Sequence, residues 1–257
     1  MAEQVPVKRT VITLRDYARA AVLCWPGEAV PEKVSVAVLW AQYLIETGGT
    51  ACWNYNVGNV KSVPGDGYRF HCLGGVWEGV TPEQATRLIG AGEAHADPSP
   101  DHAKAVGPSR VSVIFQPPHQ ATRFRAFESL DEAMGDHLHF LQRRFAKAWP
   151  AVLTGDYRLF AMKLKEQGYY TASSEAYANG MRRPYQDFLM STGYEDTLLA
   201  MAQDAVATQP DLMAPTTAAT HPTEYPRVLS EAETGSGATV HPLMYPLDVD
   251  PPDDDAA

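Results

Sequence analysis

The stretch KVSVAVLWAQYLI, residues 33–45, is apolar on nearly every side of a helix and decides the fold. A surface helix needs only an apolar stripe, so a helix that is apolar all round is expected inside a larger helical core. Glu46 follows directly, and the chain then continues as TGGTACWNYNVGNVK, whose glycines and asparagines suit turns and positive φ angles. The sequence therefore predicts a buried helix that carries one acidic side chain at its C-terminal end.

Further helices are predicted on both sides of this segment. Residues 14–24 are amphipathic and end at Trp25-Pro26-Gly27. Ser129 and Glu132 have the spacing of a capping box, and Asp156 and Gly168 are placed to begin and end another helix. Two more helices are expected near the C-terminal end of the folded part, over residues 175–190, where Pro184 is a point of potential breakage, and over 194–205.

The β structure predicted from the sequence is small. Alternating residues in VSVIF, 111–115, and in TRFRAF, 122–127, flank a QPPHQ turn and indicate a short β-hairpin. Residues 62–110 are rich in Gly, Pro and Asp, and we interpret them as a long irregular excursion of the kind that often serves function. The expected fold class is mainly α, an α+β domain with a short β-hairpin.

Charge and composition divide the chain. Residues 205–257 carry nine of the 31 acidic side chains, a single arginine and eight of the 20 prolines, which predicts a disordered acidic C-terminal tail. We therefore expect an N-terminal arm over 1–9, one domain over 10–204 and the tail over 205–257. The net charge of −10 disfavours nucleic acid as a partner, because binding to phosphates requires a basic surface.

The sequence also limits the chemistry and location of the protein. No segment reaches the roughly 20 apolar residues that cross a bilayer, so membrane insertion is not expected. Charges at Arg15, Asp16 and Arg19 interrupt the N-terminal region, so we expect synthesis in the cytoplasm without a signal peptide. The three cysteines are expected to be free, and the histidines lack zinc-peptidase spacing, so neither a metal nor a cofactor is predicted.

Glu46 is the strongest candidate for a chemical role. Apolar surroundings and the C-terminal end of a helix dipole both disfavour a charged carboxylate, so the pKa of Glu46 is expected to be raised. A carboxyl group that keeps its proton near neutral pH is what a glycosidase needs as its general acid. Taken alone, this pattern is more often an ordinary glutamate at the end of a helix.

Four ordered segments resemble one family. WAQYLIETGG at 40–49, NYNVGNVK at 54–61, TRFRAFESLDEAMGDHLHFL at 122–141 and FAMKLKEQGYYTASSEAYANGM at 160–181 are similar to motifs of the glucosaminidase family of peptidoglycan hydrolases. This family includes flagellar rod-cap hydrolases and autolysins and has a lysozyme-like fold. The resemblance covers roughly Val34 to Met190.

The resemblance implies roles for individual residues. Glu46 matches the general acid, and Asn56 and Asn59 match the turn that forms the wall of the cleft. Tyr169 and Tyr177 match tyrosines near the scissile sugar, while Tyr170, a further candidate for substrate binding, stands where the family often has a small residue. Asn56 and Asn59 could equally be turn formers, and Tyr170 and Tyr177 could equally be packing residues.

The second acid of the family has no clear match. Members often carry another Glu on the first strand of the hairpin, but VSVIF contains no carboxylate. The candidates are Glu78, Glu93, Asp97 and Asp101, of which we favour Glu93 as the second catalytic residue. Without a second acid, the N-acetyl group or 6-hydroxyl of the substrate could act as the nucleophile.

The expected function is cleavage of β-1,4 bonds in the peptidoglycan glycan strand, by a glucosaminidase or muramidase activity. Two alternatives remain: a lytic transglycosylase, and an inactive wall-binding or structural module of a phage tail or injection apparatus. An active enzyme would act on the periplasmic or extracellular wall, and a phage particle or a secretion apparatus would have to deliver it there.

Overall fold

A computed structural model describes residues 3–170 and 172–207, with side chains up to residue 204. The helices within these ranges are α1 Leu14–Leu23, α2 Lys33–Thr47, α3 Pro82–Gly90, α4 Pro100–Val106, α5 Leu130–Arg144, α6 Trp149–Leu153, α7 Tyr157–Glu166, α8 Ser174–Met190 and α9 Gly193–Ala207. The strands are β1 Arg9–Val11, β2 Ala51–Trp53, β3 Phe70–Cys72, β4 Trp77–Val80, β5 Ala94–Ala96, β6 Val111–Phe115 and β7 Arg123–Arg125. The expected fold class, mainly α with a small β component, is confirmed.

Helix α2 is the centre of the helical core, as its sequence predicts. Its residues 36–39 and Ala41 have no solvent exposure. Helices α6 and α8 pack directly against α2, while α1 contacts α2, α5 and α9. Because other helices enclose α2, the apolar side chains on nearly every side of it are shielded from water.

Local capping signals explain most helix ends. Asp156 accepts hydrogen bonds from the amides of Arg158 and Leu159 and so begins α7. Ser129 caps α5, but the capping box predicted there is incomplete, because the Glu132 carboxylate accepts from the Glu128 amide instead. Helix α8 runs through Pro184 without interruption.

The predicted hairpin between residues 111–115 and 122–127 is wrong in its pairing. Both strands form, but β6 is the central strand of a three-stranded antiparallel sheet with the order β4-β6-β5. Since both edges of β6 are occupied, β7 cannot pair with it, and β7 pairs with β3. The strand β1 pairs separately with β2.

The segment 62–110 is more regular than its composition predicts. It contains β3, β4, α3, β5 and α4, and the apolar side of α3 packs against the three-stranded sheet. Pro82 and Pro100 lie in the first turns of α3 and α4, where the missing amide hydrogen costs no helical hydrogen bond. These prolines are therefore helix-start signals, and the prediction of an irregular excursion is wrong.

The residues expected to form the N-terminal arm make hydrogen bonds to the rest of the chain. Residues 3–9 are part of the fold: the Val5 amide donates to Phe70, the Lys8 amide donates to the Asn54 side chain, and Arg9 begins β1. At the other end α9 extends to Ala207. The remainder of the predicted tail, 208–257, lies outside the described residues.

Candidate active site

Glu46 lies in the last turn of α2 and lines a pocket. Its exposed fraction is 1%, and Gly48 follows with a φ of 68°, a left-handed conformation that lets the chain leave the helix sharply. The pocket is narrow and partly open to solvent. Its lining residues are Glu46, Thr47, Ala51, Cys52, Trp53, Asn56, Asn59, His71 and Leu73.

The Glu46 carboxyl group has one protein partner. Tyr177 Oη donates a 2.5 Å hydrogen bond to Glu46 Oε1, and Oε2 has no hydrogen-bond partner among the described residues. Burial raises the pKa of Glu46 to about 8, and the Tyr177 hydrogen bond opposes that rise because it favours the charged form. Glu46 therefore keeps its proton near neutral pH, as a general acid must.

The three tyrosines expected near the sugar are buried behind Glu46 and are absent from the pocket lining. Tyr169 Oη donates to the Gly58 carbonyl, Tyr170 Oη donates to the Ala161 carbonyl, and Tyr177 binds Glu46. The rings of Tyr170 and Tyr177 stack with centroids 4.1 Å apart. This geometry gives them a positioning role, so direct contact with substrate stays a prediction without support from their placement.

Asn56 and Asn59 both line the pocket, but only one of the two side chains is already engaged in hydrogen bonds. The Asn56 side chain donates to the carbonyls of Val60 and Arg125 and accepts from the Val60 amide. It therefore holds the turn together. Asn59 has a φ of 48°, and its half-buried side chain forms no hydrogen bond within the described part of the chain. Of the two, Asn59 is free to contact a ligand.

His137 and Gln42 form a buried polar pair, and His137 lies against Gly58 of the 56–59 turn. His137 Nε2 lies 3.3 Å from Gln42 Oε1, one helical turn before Glu46, and burial lowers the pKa of His137 to about 4. A Cβ atom on Gly58 would lie 2.4 Å from His137 Nδ1, so a side chain at this position would collide with the imidazole. The absence of a side chain at Gly58 allows the turn to sit directly on α5.

None of the four candidates for the second acid lines the Glu46 pocket. Glu93 is 45% exposed beside the three-stranded sheet, with its carboxylate 3.8 Å from His119 Nε2. Glu78 forms an ion pair with Lys61, Asp97 binds His102 and Ser112, and Asp101 is exposed. Among the described carboxylates, Glu46 alone lines this pocket. The catalytic role that the sequence analysis favoured for Glu93 is untested and has no support from this placement.

His71 is a pocket residue that the sequence analysis did not single out. It lies on β3, its exposed fraction is 1%, and neither ring nitrogen has a hydrogen-bond partner within the described residues. Its ring stacks on Phe124 of β7 with centroids 6.0 Å apart. No local pattern signals this position, because Phe70 and His71 are consecutive and both buried, so the tertiary structure alone places the imidazole in the pocket.

Cys52 also lines the pocket and is unsuited to nucleophilic catalysis. Burial raises the pKa of its thiol to about 11, so the reactive thiolate is scarce at neutral pH. The three cysteines are free, although only Cys52 is fully buried. Within residues 3–170 and 172–207, we find neither a cluster of three metal-ligating side chains nor a helix long and apolar enough to cross a membrane.

The chain has weak similarity to known proteins. No protein-family model and no curated protein matches the chain. Among solved structures, the glycoside hydrolase domain of FlgJ from Salmonella typhimurium aligns with 76% of this chain and 90% of its own, at 19% identity and a TM-score of 0.36. A C-terminally truncated form of that domain aligns with 68% of this chain and 95% of its own, at 18% identity and the same TM-score. A likeness at this level does not assign an activity.

Proposed function

We propose that this protein is a peptidoglycan hydrolase that cleaves a β-1,4 bond of the glycan strand, with Glu46 as its general acid. The observation that carries the proposal is the state of Glu46: a buried carboxyl group with a pKa of about 8, on a pocket open to solvent. Ionisation of a carboxyl group in an apolar setting is unfavourable, so its pKa is raised. A protonated carboxyl group on a pocket wall fits a role in proton transfer.

The geometry around Glu46 suits donation of a proton to the leaving sugar oxygen. Oε2 is buried and has no hydrogen-bond partner in the described chain, so it is the oxygen of this carboxyl group that is available to hold the proton. After the transfer, the new carboxylate remains buried, and the Tyr177 hydroxyl stabilises it through the hydrogen bond to Oε1. Tyr177 thereby lowers the cost of the charged state that forms during the reaction.

The choice of peptidoglycan as substrate rests on the sequence motifs. The four segments that resemble the glucosaminidase family bring the Glu46 helix end, the Asn56–Asn59 turn and the Tyr177 contact into one site. The pocket lining combines amide, hydroxyl and imidazole groups with apolar Leu73 and Trp53, as expected for an amino sugar. Delivery to the wall by a phage particle or a secretion apparatus is part of the proposal.

The test of this function is a zymogram with purified peptidoglycan. Glu46→Gln keeps the shape of the side chain but has no acidic proton, so we expect loss of cleavage by about 10²–10⁴-fold. Glu166→Gln is the matched control, because Glu166 lies on the exposed side of α7 in an ion pair with Lys163. Wild-type cleavage by the Glu46 variant would refute the assignment.

A lytic transglycosylase is the second candidate, and one observation favours it. No carboxylate other than Glu46 lines the pocket within the described residues, so the substrate itself would have to supply the nucleophile. Attack by the 6-hydroxyl leaves an anhydro sugar end, whereas hydrolysis leaves a reducing end. Mass spectra of digested cell walls distinguish these two products.

A further inference from the structure

Residues 73–122 form a lobe with an apolar core of its own. Strands β4, β5 and β6 pack with helices α3 and α4, and the buried apolar residues among them form a cluster separate from the helical core. The two ends of the lobe meet at its base, where the Leu73 amide donates to the Thr122 carbonyl. Gly74 and Gly75 follow at once, and Gly75 has a φ of 74°. A unit with its own core and a narrow base can turn as one body.

An ion pair ties this lobe to the turn beside the Glu46 pocket. Within residues 3–170 and 172–204, Lys61 and Glu78 form the single ion pair between the lobe and other parts of the protein. Their side chains are 16% and 20% exposed, so water screens this pair less than it screens pairs on the open surface. Glu78 lies on β4, and Lys61 lies two residues after Asn59, which lines the pocket.

The base of the lobe and Lys61 both adjoin the pocket wall. Lys61 Nζ lies 5.9 Å from the centroid of the Phe124 ring, and Phe124 stacks on His71 in the pocket lining. Leu73 lines the same pocket and belongs to a small apolar cluster with Phe124, against which Trp53 packs. A rotation of the lobe about its base would therefore move one wall of the pocket.

The pocket is too narrow for a sugar in this arrangement. It has room for about one water molecule, and Glu46 Oε2 is buried within the protein. A pyranose ring is much larger than a water molecule, so a glycosidic oxygen reaches Glu46 only after the pocket widens. Helix α2 is fixed inside the helical core, so the lobe is the side that is able to move.

We propose that residues 73–122 are a closing lobe and that the Lys61–Glu78 ion pair is the latch that holds this lobe against the Glu46 pocket. Release of the latch widens the pocket, and formation of the latch narrows it. The inference rests on the proposed function in one respect, because that function names the glycan strand as the molecule to be admitted. The opening itself involves residues of this chain alone.

Alkylation of Cys52 measures the opening without any substrate. Cys52 lines the pocket and is 3% exposed, so iodoacetamide reaches its thiol only when the pocket widens. Lys61→Met removes one charge of the latch and keeps a long side chain. We expect it to make alkylation of Cys52 roughly fivefold faster, as read by mass spectrometry, because the open form becomes more populated. Glu78→Gln removes the other charge and should act in the same direction.

Three controls separate release of the latch from a general loss of stability. Cys24 is a half-buried thiol at the end of α1, outside the lobe, and its alkylation rate should stay the same in every variant. Lys163→Met breaks an ion pair confined to α7 and should leave the Cys52 rate unchanged. Lys61→Arg keeps the positive charge, so Cys52 should react nearly as slowly as in the wild type.

Several results would overturn the latch. Unchanged alkylation of Cys52 in Lys61→Met and Glu78→Gln is one of them, and Glu78→Gln alone decides if Lys61→Met does not fold. Equal acceleration at Cys52 and Cys24 is another, because it reports unfolding of the whole protein. Fast alkylation in Lys61→Arg would show that charge does not hold the lobe. A protein that opens as expected but does not cleave peptidoglycan would refute the proposed function and support the latch.

Discussion

Tyr177 on α8 donates a 2.5 Å hydrogen bond to Glu46 on α2, across 131 residues of sequence. The contact joins the two most important helices of the candidate site. It holds Oε1 in place and is the one described hydrogen bond that opposes the effect of burial on the Glu46 pKa. Burial therefore sets the main rise of the Glu46 pKa, and the tyrosine hydroxyl limits that rise.

Removing the Tyr177 hydroxyl should change the pH profile of activity. The hydrogen bond favours the carboxylate, so Tyr177→Phe is expected to raise the pKa of Glu46 above its value of about 8. A general acid works while protonated, so the basic limb of the profile should move to higher pH. The maximal rate should fall, because the carboxylate formed in the reaction loses its donor. Rates measured across the pH range test both effects.

Tyr170→Phe is the matched control for that experiment. Its hydroxyl donates to the Ala161 carbonyl and makes no hydrogen bond to Glu46, while its ring stacks on Tyr177. The control should lose some stability and keep its basic limb in place. An unmoved basic limb in Tyr177→Phe would show that the hydroxyl does not control Glu46.

Glu46 should make the protein less stable as the pH rises. Its pKa is about 8 in the folded protein and near 4.5 without burial, so between these values the unfolded chain has lost a proton that the folded protein retains. The stabilising contribution is therefore complete below about pH 4.5 and is lost on the way to about pH 8. His71 and His137, with pKa values lowered to about 4, add a slope of the opposite sign that fades above pH 6.5 as the histidines of the unfolded chain lose their protons.

Urea unfolding of the wild type and Glu46→Gln tests this linkage. Between about pH 6.5 and 8, the free energy of unfolding of the wild type should fall relative to that of the variant by up to about 1.4 kcal/mol per pH unit. Other titrating groups are common to both proteins and cancel in the difference. Parallel pH dependences would mean that the buried carboxyl group is already ionised.

Two glycine substitutions should act in opposite directions. Gly58→Ala places a Cβ 2.4 Å from His137 Nδ1, so we expect a loss of about 1–3 kcal/mol and a displaced pocket wall. Gly135→Ala, in the interior of α5 with open space around its Cβ, should instead gain about 0.5–1 kcal/mol. Thermal melting compares them, and equal effects would contradict the close approach of the turn to α5.

Glu93→Gln should leave wall cleavage close to the wild-type rate. The carboxylate is half exposed beside His119 and does not line the Glu46 pocket. A second catalytic carboxylate lies within roughly 10 Å of the general acid, and the lining of the Glu46 pocket gives no sign of Glu93 in that position. A fall in turnover of a hundredfold or more, without weaker binding, would establish Glu93 as the second acid.

The sequence by itself determined the helical framework and the setting of Glu46. The apolar run of α2 is apolar on nearly every side, so burial was expected for it, and the structure buries Glu46 at its end as well. Caps at Asp156 and Ser129 act within one helical turn, so local sequence sufficed to place them. The direction of the Glu46 pKa shift followed from the same local reasoning.

Only the tertiary structure decided which distant segments meet. The sequence of strand β6 alternates between apolar and polar residues, which predicts a strand. Its pairing with β4 and β5 depends on the path of the whole 62–110 segment. Strand β7, which is nearby in sequence, pairs with β3. The contact of Tyr177 with Glu46 and the presence of His71 in the same pocket likewise join residues from separate elements. Periodicity and capping report on neighbours within a few residues, whereas a catalytic site is built from side chains that the chain brings together over its full length.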